Sequence, residues 1–478
     1  MKHKIFVIFL CLVALFLLSG QSDFEKWQQE QSQMFRQYKS EQDKAFGEFL
    51  EQNWKAFEMF KGEVFDDTPK PVDAPVLTER PPQPIPAAEK VKAIPLPQIE
   101  EAVEKHSLLI AADKTLPTIK FTFWGLPLEF NYQLDTEISL QPLNEKAVAD
   151  FWYIASNSDY ELLLNQIRES REKIRLNDWG YCLLLNEVAR SIVGGDQNLT
   201  RLYVWFLLTK TGYECKVGYG EGNVYLLIPS DNKIYGVSFV EMDGKRYYAL
   251  MFEKQEKLNF AINTYEGKYP DVNSLIDLSV TESPRLDKTI VEKELVFRYQ
   301  NDEYRFVVQY NQNAAKFFKN YPQTDLDIYF QTPLSPEAAH SLTAGLKPIV
   351  EGKSVTEAAN IILRFVQTAF QYKTDDEQFG REKSFFADEI LFHPYCDCED
   401  RSIFYSYLVK NILGLDVVGL DYPGHIATAV NFQTRIPGDL IVVGETEYAV
   451  CDPTYINADI GMAMPQFKNV QPQIIQLP

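Results

Sequence analysis

Three side chains in the C-terminal part of the chain have the types needed for nucleophile, base and orienting acid: Cys398, His425 and Asp452. Cys398 stands in Asp397-Cys398-Glu399-Asp400-Arg401, just ahead of a run in which Ile403, Phe404, Tyr407, Leu408, Ile412 and Leu413 recur at helical spacing up to Gly414. The spacing predicts a helix with the cysteine at or just before its first turn. Unpaired backbone N–H groups and the helix dipole favour a thiolate there, and the same groups suit a developing oxyanion. A nucleophilic cysteine needs a base, and the chain has five histidines: His3, His106, His340, His393 and His425. His425 follows Pro423-Gly424 and opens the apolar run Ile426 to Val430, so it is expected to start a strand. A second strand, Tyr448 to Cys451, reaches Asp452 and is halted by Pro453. Set antiparallel, the two strands bring His425 and Asp452 side by side, where the carboxylate fixes the ring tautomer and stabilises the imidazolium.

The stretch from about Ala358 to Tyr455 resembles the bacterial transglutaminase-like core. The residues that carry the resemblance are Phe370-Gln371-Tyr372, Asp375-Asp376-Glu377-Gln378-Phe379-Gly380, Cys398-Glu399-Asp400-Arg401-Ser402, the Gly424-His425 strand start, and Cys451-Asp452-Pro453-Thr454-Tyr455. The resemblance implies a papain-like α+β fold, with Cys398 as nucleophile, His425 as base and Asp452 as orienting acid. The family holds amide cross-linkers, peptide hydrolases and inactive relatives. Its chemistry here is expected to be acyl transfer on amide bonds of peptide or protein substrates, with no cofactor and no metal. Water is the default acceptor in an exposed cleft, so hydrolysis is the expected outcome and amine cross-linking the other.

The elements around these residues look duplicated. Residues 196–228 and 398–430 align without a gap, so that Tyr203 matches Tyr405, Gly212 matches Gly414 and Gly222 matches Gly424. The expected organisation is therefore a papain-like transglutaminase core in tandem: a degenerate copy at 99–289 and a catalytic copy at 290–478, each opened by a strand-rich stretch, near 117–141 and 290–331. Glu137 to Gln141 and Asp327 to Gln331 read as strands leading to helix starts, with Asn144 and Ser335 as N-caps and Pro336 in the first helical position. In the first copy Asp196 replaces the cysteine, Asn223 the histidine and Phe252 the aspartate, so all three roles are missing. Asp196 suits a helix N-cap instead. The long segment 373–397 of the second copy, with Phe385, Phe386, Leu391, Phe392 and Tyr395, reads either as a lid or substrate wall or as a loop covering the core.

Upstream, aromatics repeat every eleven residues over 23–65. Phe24, Phe35, Phe46 and Phe57 form one series, and Trp27, Tyr38, Phe49 and Phe60 the other. This period predicts one long amphipathic helix with an aromatic stripe of slight right-handed drift. The stripe is expected to pack on its own domain, to self-associate in coiled-coil fashion, or to dock on an envelope protein. Residues 66–98 hold nine prolines and read as an extended spacer. Residues 1–22 read as an export signal: Lys2 and Lys4, an apolar run from Ile5 to Leu18, then Ser19, Gly20 and Ser22. The run is shorter than a bilayer span, so no integral span is expected in the mature form, and export to the periplasm or cell envelope is. Cys11 lacks the small residues that would precede a lipidation site. A net charge of −20 argues against nucleic acid and anionic lipid as partners.

Two rival readings compete with the enzyme. His393, Cys396 and Cys398 could form a metal cluster, approached by Cys451, although the spacing is unlike zinc knuckles. Alternatively both copies are inactive and the chain is an envelope scaffold or binding protein. Retention of Cys398, His425 and Asp452 together in one copy, where the other dispenses with all three, favours the enzyme. Five cysteines follow the signal (Cys182, Cys215, Cys396, Cys398, Cys451), so at least one is unpaired within the chain.

Overall fold

The long N-terminal helix begins and ends differently from the aromatic period. In the computed structural model, which describes residues 2–64 (side chains from 26), 70–71, 73–77, the backbone of 91–93, 116–252 and 258–477, α1 runs from Lys2 to Gln52. It stops where two side chains take its last carbonyls: Asn53 Nδ2 donates to Phe49 O at 2.8 Å and Trp54 Nε1 donates to Leu50 O. The chain then turns into β1 (Trp54–Phe57), so the helix expected through residue 65 is shorter, and Phe57 and Phe60 lie outside it. The stripe divides accordingly. Phe46 and Leu50 are buried, whereas Trp27, Phe35 and Tyr38 are 55%, 58% and 51% exposed. Phe46 meets Trp152 edge-on at 4.7 Å and Tyr269 at 5.2 Å, so this end of the helix packs on its own domain. The side chains of residues 2–25, Phe24 among them, and His106 and most of the stretch 66–98 lie outside the described residues, although β2 (Val91–Ala93) is placed. Among the described residues no helix is long and apolar enough to cross a membrane.

The first copy begins with the hairpin β3 (Thr118–Phe123) and β4 (Leu126–Asn131). Helices α2 (Glu145–Asn157), α3 (Glu161–Ile174), α4 (Asp178–Ile192) and α5 (Gln197–Lys210) follow. Asn144 caps α2 through a bond from Ala147 N–H, and Asp196 caps α5 through a bond from Leu199 N–H at 2.9 Å. Strands β5 (Lys216–Gly220), β6 (Asn223–Pro229), β7 (Phe239–Met242), β8 (Lys245–Leu250) and β9 (Ile262–Tyr265) form a sheet in the order β9-β5-β6-β8-β7, with β1 added beside β9. Residues 137–141, expected as a strand, are irregular: Ile138 and Leu140 are buried, yet no partner strand takes the backbone.

Residues 290–477 follow a similar order, a hairpin, then helices, then a sheet. A long hairpin, β10 (Ile290–Tyr299) and β11 (Asp302–Asn311), precedes α6 (Gln312–Lys319), α7 (Leu326–Gln331), α8 (Pro336–Val350) and α9 (Val355–Ala369). The segment 327–331 is thus a helix rather than the expected strand. A run of three apolar residues between Asp327 and Gln331 does not distinguish the two by pattern, and Ile328, Tyr329 and Phe330 are all buried. Pro336 holds the first helical position of α8, but the Ser335 hydroxyl turns to the carboxylate of Asp388 instead of capping. Next come β12 (Gln371–Tyr372), α10 (Asp375–Phe379), α11 (Glu389–Phe392), β13 (Tyr395–Cys396) and α12 (Cys398–Leu408), which continues as one π-helical turn to Leu413 and ends at Gly414 with φ of 68°. Strands β14 (Asp416–Tyr422), β15 (His425–Asn431), β16 (Leu440–Val443), β17 (Thr446–Cys451) and β18 (Gln473–Gln476) run in the order β18-β14-β15-β17-β16.

Position for position, the two sheets have the same order, and β6 and β15 begin at the aligned residues Asn223 and His425. In each copy a helix lies on the second inner strand, α5 on β6 and α12 on β15. With 38% of residues in helix and 26% in strand, the chain is α+β. One hydrophobic core runs through both copies, from Phe46 to Cys451. Polar bonds also join them, such as Thr324 Oγ1 to Lys233 O at 2.8 Å.

Candidate active site

Cys398 is the first residue of α12. Asp397 stands at the N-cap, and its backbone N–H donates to Asp400 Oδ2 at 3.1 Å, which closes the turn. The first turn is pinned to the start of β15 by Ser402 Oγ, which donates to Ile426 O at 3.0 Å. That bond sets the first turn of α12, which begins with Cys398, against the residue next to the histidine.

His425 and Asp452 come together as the antiparallel strands predict. Thr428 pairs with Cys451 in the β15–β17 register, and His425 Nε2 lies 2.9 Å from Asp452 Oδ2. The other carboxylate oxygen accepts the backbone N–H groups of Thr454 at 2.9 Å and Tyr455 at 3.2 Å. An ionised carboxylate only accepts, so it selects the tautomer with the proton on Nε2. That leaves Nδ1 as a lone pair, and Nδ1 is buried without a hydrogen-bond partner. Phe467, in the short helical turn Pro465–Phe467, stacks on the imidazole.

Behind Asp452 the turn is held by one glutamine. Gln367 of α9 donates Nε2 to the carbonyls of Asp452, Tyr455 and Ala458 at 3.1, 2.8 and 3.0 Å, and its Oε1 accepts Asn457 N–H at 3.2 Å.

An unusual density of carboxylates surrounds the sulfur. Asp375, Asp397, Glu399 and Asp400 are each at most 1% exposed. Burial first, and then the charge of Glu399, pushes Asp397 and Asp400 far above the ordinary carboxylate range, and Asp375 up to about 9. Burial also works to raise Glu399, but the Lys70 ammonium overcomes it and holds that carboxyl at about 2. Lys70 Nζ lies 2.6 Å from Glu399 Oε1 and 2.7 Å from Glu382 Oε2. Glu399 Oε2 in turn lies 3.2 Å from Cys398 Sγ. The thiol is fully enclosed, and burial followed by the Glu399 charge raises its pKa well above the usual cysteine value. A cavity of about 580 Å³ opens beside these groups, lined by Lys233 and Tyr235 of the first copy and by Lys70, Asp325, Glu399 and His425.

The first copy has none of this chemistry. Asp196 is spent on its cap, Asn223 is exposed, and Phe252 packs on Trp179 with centroids 5.6 Å apart. The segment 373–397 covers core: Phe386 stacks on Phe318 at 4.6 Å, and Phe385 stacks on His393 at 4.5 Å. His393, Cys396 and Cys398 do not make one ligand set among the described residues, since Cys396 donates its thiol to Gln371 O and the groups close enough for a metal ion are carboxylate-based. All five described cysteines are free and buried.

Sequence reasoning missed Gln367, Phe467 and Lys70. Gln367 reads as one more polar residue on an amphipathic helix, and Phe467 lies in a stretch without periodicity. Lys70 is 329 residues from its partner Glu399, so no local pattern links them. Comparison of the chain with protein-family models, curated proteins and solved structures gives no match.

Proposed function

We propose that the chain is an exported cysteine acyl-transfer enzyme of the transglutaminase-like type, acting on amide bonds of peptide or protein substrates. Its two α+β copies are read as papain-like cores in tandem, of which only the second is catalytic. One observation carries this reading: an Asp452-bound imidazole with a buried, unpartnered Nδ1 opens the strand to which the first turn of the Cys398 helix is pinned by the Ser402–Ile426 bond.

In the reaction, Nδ1 takes the Sγ proton as sulfur bonds to the amide carbonyl carbon. The oxyanion draws on the first-turn N–H groups of α12, which have no helical carbonyl to bond. The imidazolium then protonates the leaving nitrogen, the C–N bond breaks, and a thioester remains on Cys398. Water or an amine attacks the thioester, giving its proton to Nδ1 and returning the thiol.

The scaffold reading draws on the exposed Trp27, Phe35 and Tyr38, which offer an apolar strip for self-association or an envelope partner. It predicts no covalent chemistry at Cys398. The two are separated by assaying ammonia release, amine incorporation and peptide cleavage side by side on glutamine- and amide-bearing peptides. Mass spectrometry of the intact chain would follow an acyl adduct. The enzyme reading requires an adduct on Cys398 that is absent in Cys398→Ala; a wild-type chain that forms no adduct and turns over none of the peptides refutes it.

A further inference from the structure

The spacer does more than separate two parts of the chain, because a piece of it lies across the proposed active site. Lys70 puts its ammonium between Glu399 and Glu382 and is only 13% exposed there. The next residue is tied down as well: Tyr372 donates its hydroxyl to Pro71 O at 2.9 Å, and the Arg401 guanidinium lies over the Tyr372 ring. Further along, Ile456 N–H donates to Pro75 O at 2.9 Å and Leu77 N–H donates to Ile456 O at 3.0 Å, four residues beyond Asp452. The segment is thus fastened at the helix that bears Cys398, at Tyr372, and beside the turn that bears Asp452.

The pocket that receives Lys70 is built for a cation. Glu399 touches both the ammonium and the Cys398 sulfur. Asp397, Cys398 and Glu399 each offer an atom within 4.8 Å of the others, as do Asp375, Glu382 and Glu399. Asp397 is fully buried, and its carboxyl lies close enough to Glu399 to hydrogen-bond it. A buried ionised carboxylate is costly without a cation beside it, and the cation on Glu399 is a primary ammonium on an extended peptide.

We infer that Glu399 and Glu382, with Asp397 and Asp375 behind them, form a subsite for a lysine side chain of a peptide substrate, and that Lys70 fills it in cis as a pseudosubstrate closing the site. The substrate class is then a lysine-bearing peptide or protein, and the spacer must leave before such a substrate binds. The inference takes from the acyl-transfer reading only the identity of the sulfur beside the subsite, and its test uses no turnover.

The test follows site-resolved alkylation of Cys398 by iodoacetamide in the full-length chain, by peptide mass spectrometry, with wild type, Lys70→Ala and Tyr372→Phe. Cys398 should alkylate at least tenfold faster in Lys70→Ala and several-fold faster in Tyr372→Phe, which loosens the spacer without uncovering a charge. n-Butylammonium, or Nα-acetyl-lysine methylamide, should slow alkylation of Lys70→Ala and raise its melting temperature, while leaving wild type unaffected. n-Butanol and tetramethylammonium, which lack either the charge or the N–H donors, should do neither. Alkylation of folded Lys70→Ala at the wild-type rate overturns the inference, and so does protection by n-butanol equal to that by n-butylammonium. Should Lys70→Ala not fold, an unchanged rate in Tyr372→Phe overturns it. Repeating the series in a His425→Ala background separates the two readings. Amine protection that survives there stands whether or not an acyl-enzyme ever forms; an acyl-enzyme in wild type without amine protection removes only the subsite.

Discussion

Phe467 lies flat on the ring of His425, with centroids 5.0 Å apart and planes inclined by 10°. Together with the Asp452 bond, this stack fixes both the tilt and the rotation of the imidazole, and hence where Nδ1 points. Phe467→Ala is expected to slow acyl-enzyme formation about ten- to a hundredfold, the usual penalty for misplacing a reacting group by about an ångström. Phe467→Tyr should restore most of the rate. The His425 ring-proton NMR signals, shifted upfield by the stacked ring, should move downfield in the alanine variant; an unmoved signal would show that the stack does not orient the ring.

Asp452→Asn tests the tautomer. Asparagine can still accept the Thr454 and Tyr455 N–H groups, but its amide can donate to Nε2 and so place the ring proton on Nδ1. The lone pair that the proposed mechanism needs on Nδ1 is then lost while the fold is kept. Single-turnover acylation should fall about 10⁴-fold, as for the same change in a serine triad, with the melting temperature nearly unchanged.

Gln367 gives a stability test that does not involve the triad. Its amide serves three carbonyls and one N–H of the 452–458 turn and is 1% exposed. Gln367→Ala leaves several of those groups buried and unbonded, and is expected to cost about 2–4 kcal/mol. Urea unfolding would measure it, and a loss under about 0.5 kcal/mol would mean that the turn holds itself.

Asp375 sets a pH dependence. Its pKa is pushed up to about 9, by burial first and then by the charges of Glu399 and Asp400. The folded chain therefore keeps a proton that the unfolded chain releases near pH 4. The stability contributed by this group is full below about pH 4 and drains as pH rises towards 9. Asp375→Asn keeps an oxygen for the Lys383 N–H, which Asp375 Oδ2 accepts at 2.6 Å. Its melting temperature should match wild type at pH 4 and exceed it increasingly up to pH 9. A gap that narrows with rising pH would contradict the assignment.

The aromatic stripe predicts a contrast between two phenylalanines eleven residues apart. Phe46 is 5% exposed and surrounded by rings, so Phe46→Ala should cost about 3–5 kcal/mol. Phe35 is 58% exposed, so Phe35→Ala in the isolated chain should change stability by less than about 0.5 kcal/mol. Chemical denaturation at low protein concentration would measure both; a large loss at Phe35 would mean that the exposed half of the stripe is covered by another copy.

Much of the architecture was legible because it is written in local periodicity. The α12 helix, its Gly414 stop, the β15 and β17 strands and the Asn144 and Asp196 caps each depend on a few neighbouring residues. The pairing of His425 with Asp452 followed from strand order and direction. Reading stopped where tertiary context decides. The segment 327–331 becomes a helix whose three apolar residues, Ile328, Tyr329 and Phe330, are all buried, and the aromatic period outlasts its own helix because Asn53 and Trp54 take the last carbonyls. Lys70, Gln367 and Phe467 act through contacts far along the chain or in aperiodic segments.

The enclosure of Cys398 also bears on how the chain withstands oxidants. Peroxide attacks the thiolate form of cysteine, and the first product, a sulfenic acid, progresses to irreversible acids when no second thiol condenses with it. Here the sulfur is sealed from solvent and held protonated by burial, with Lys70 lodged beside it. On the acyl-transfer reading, the nucleophile is stored in its least oxidisable state while the spacer stays seated, and is exposed to peroxide only when a substrate has taken the place of the spacer.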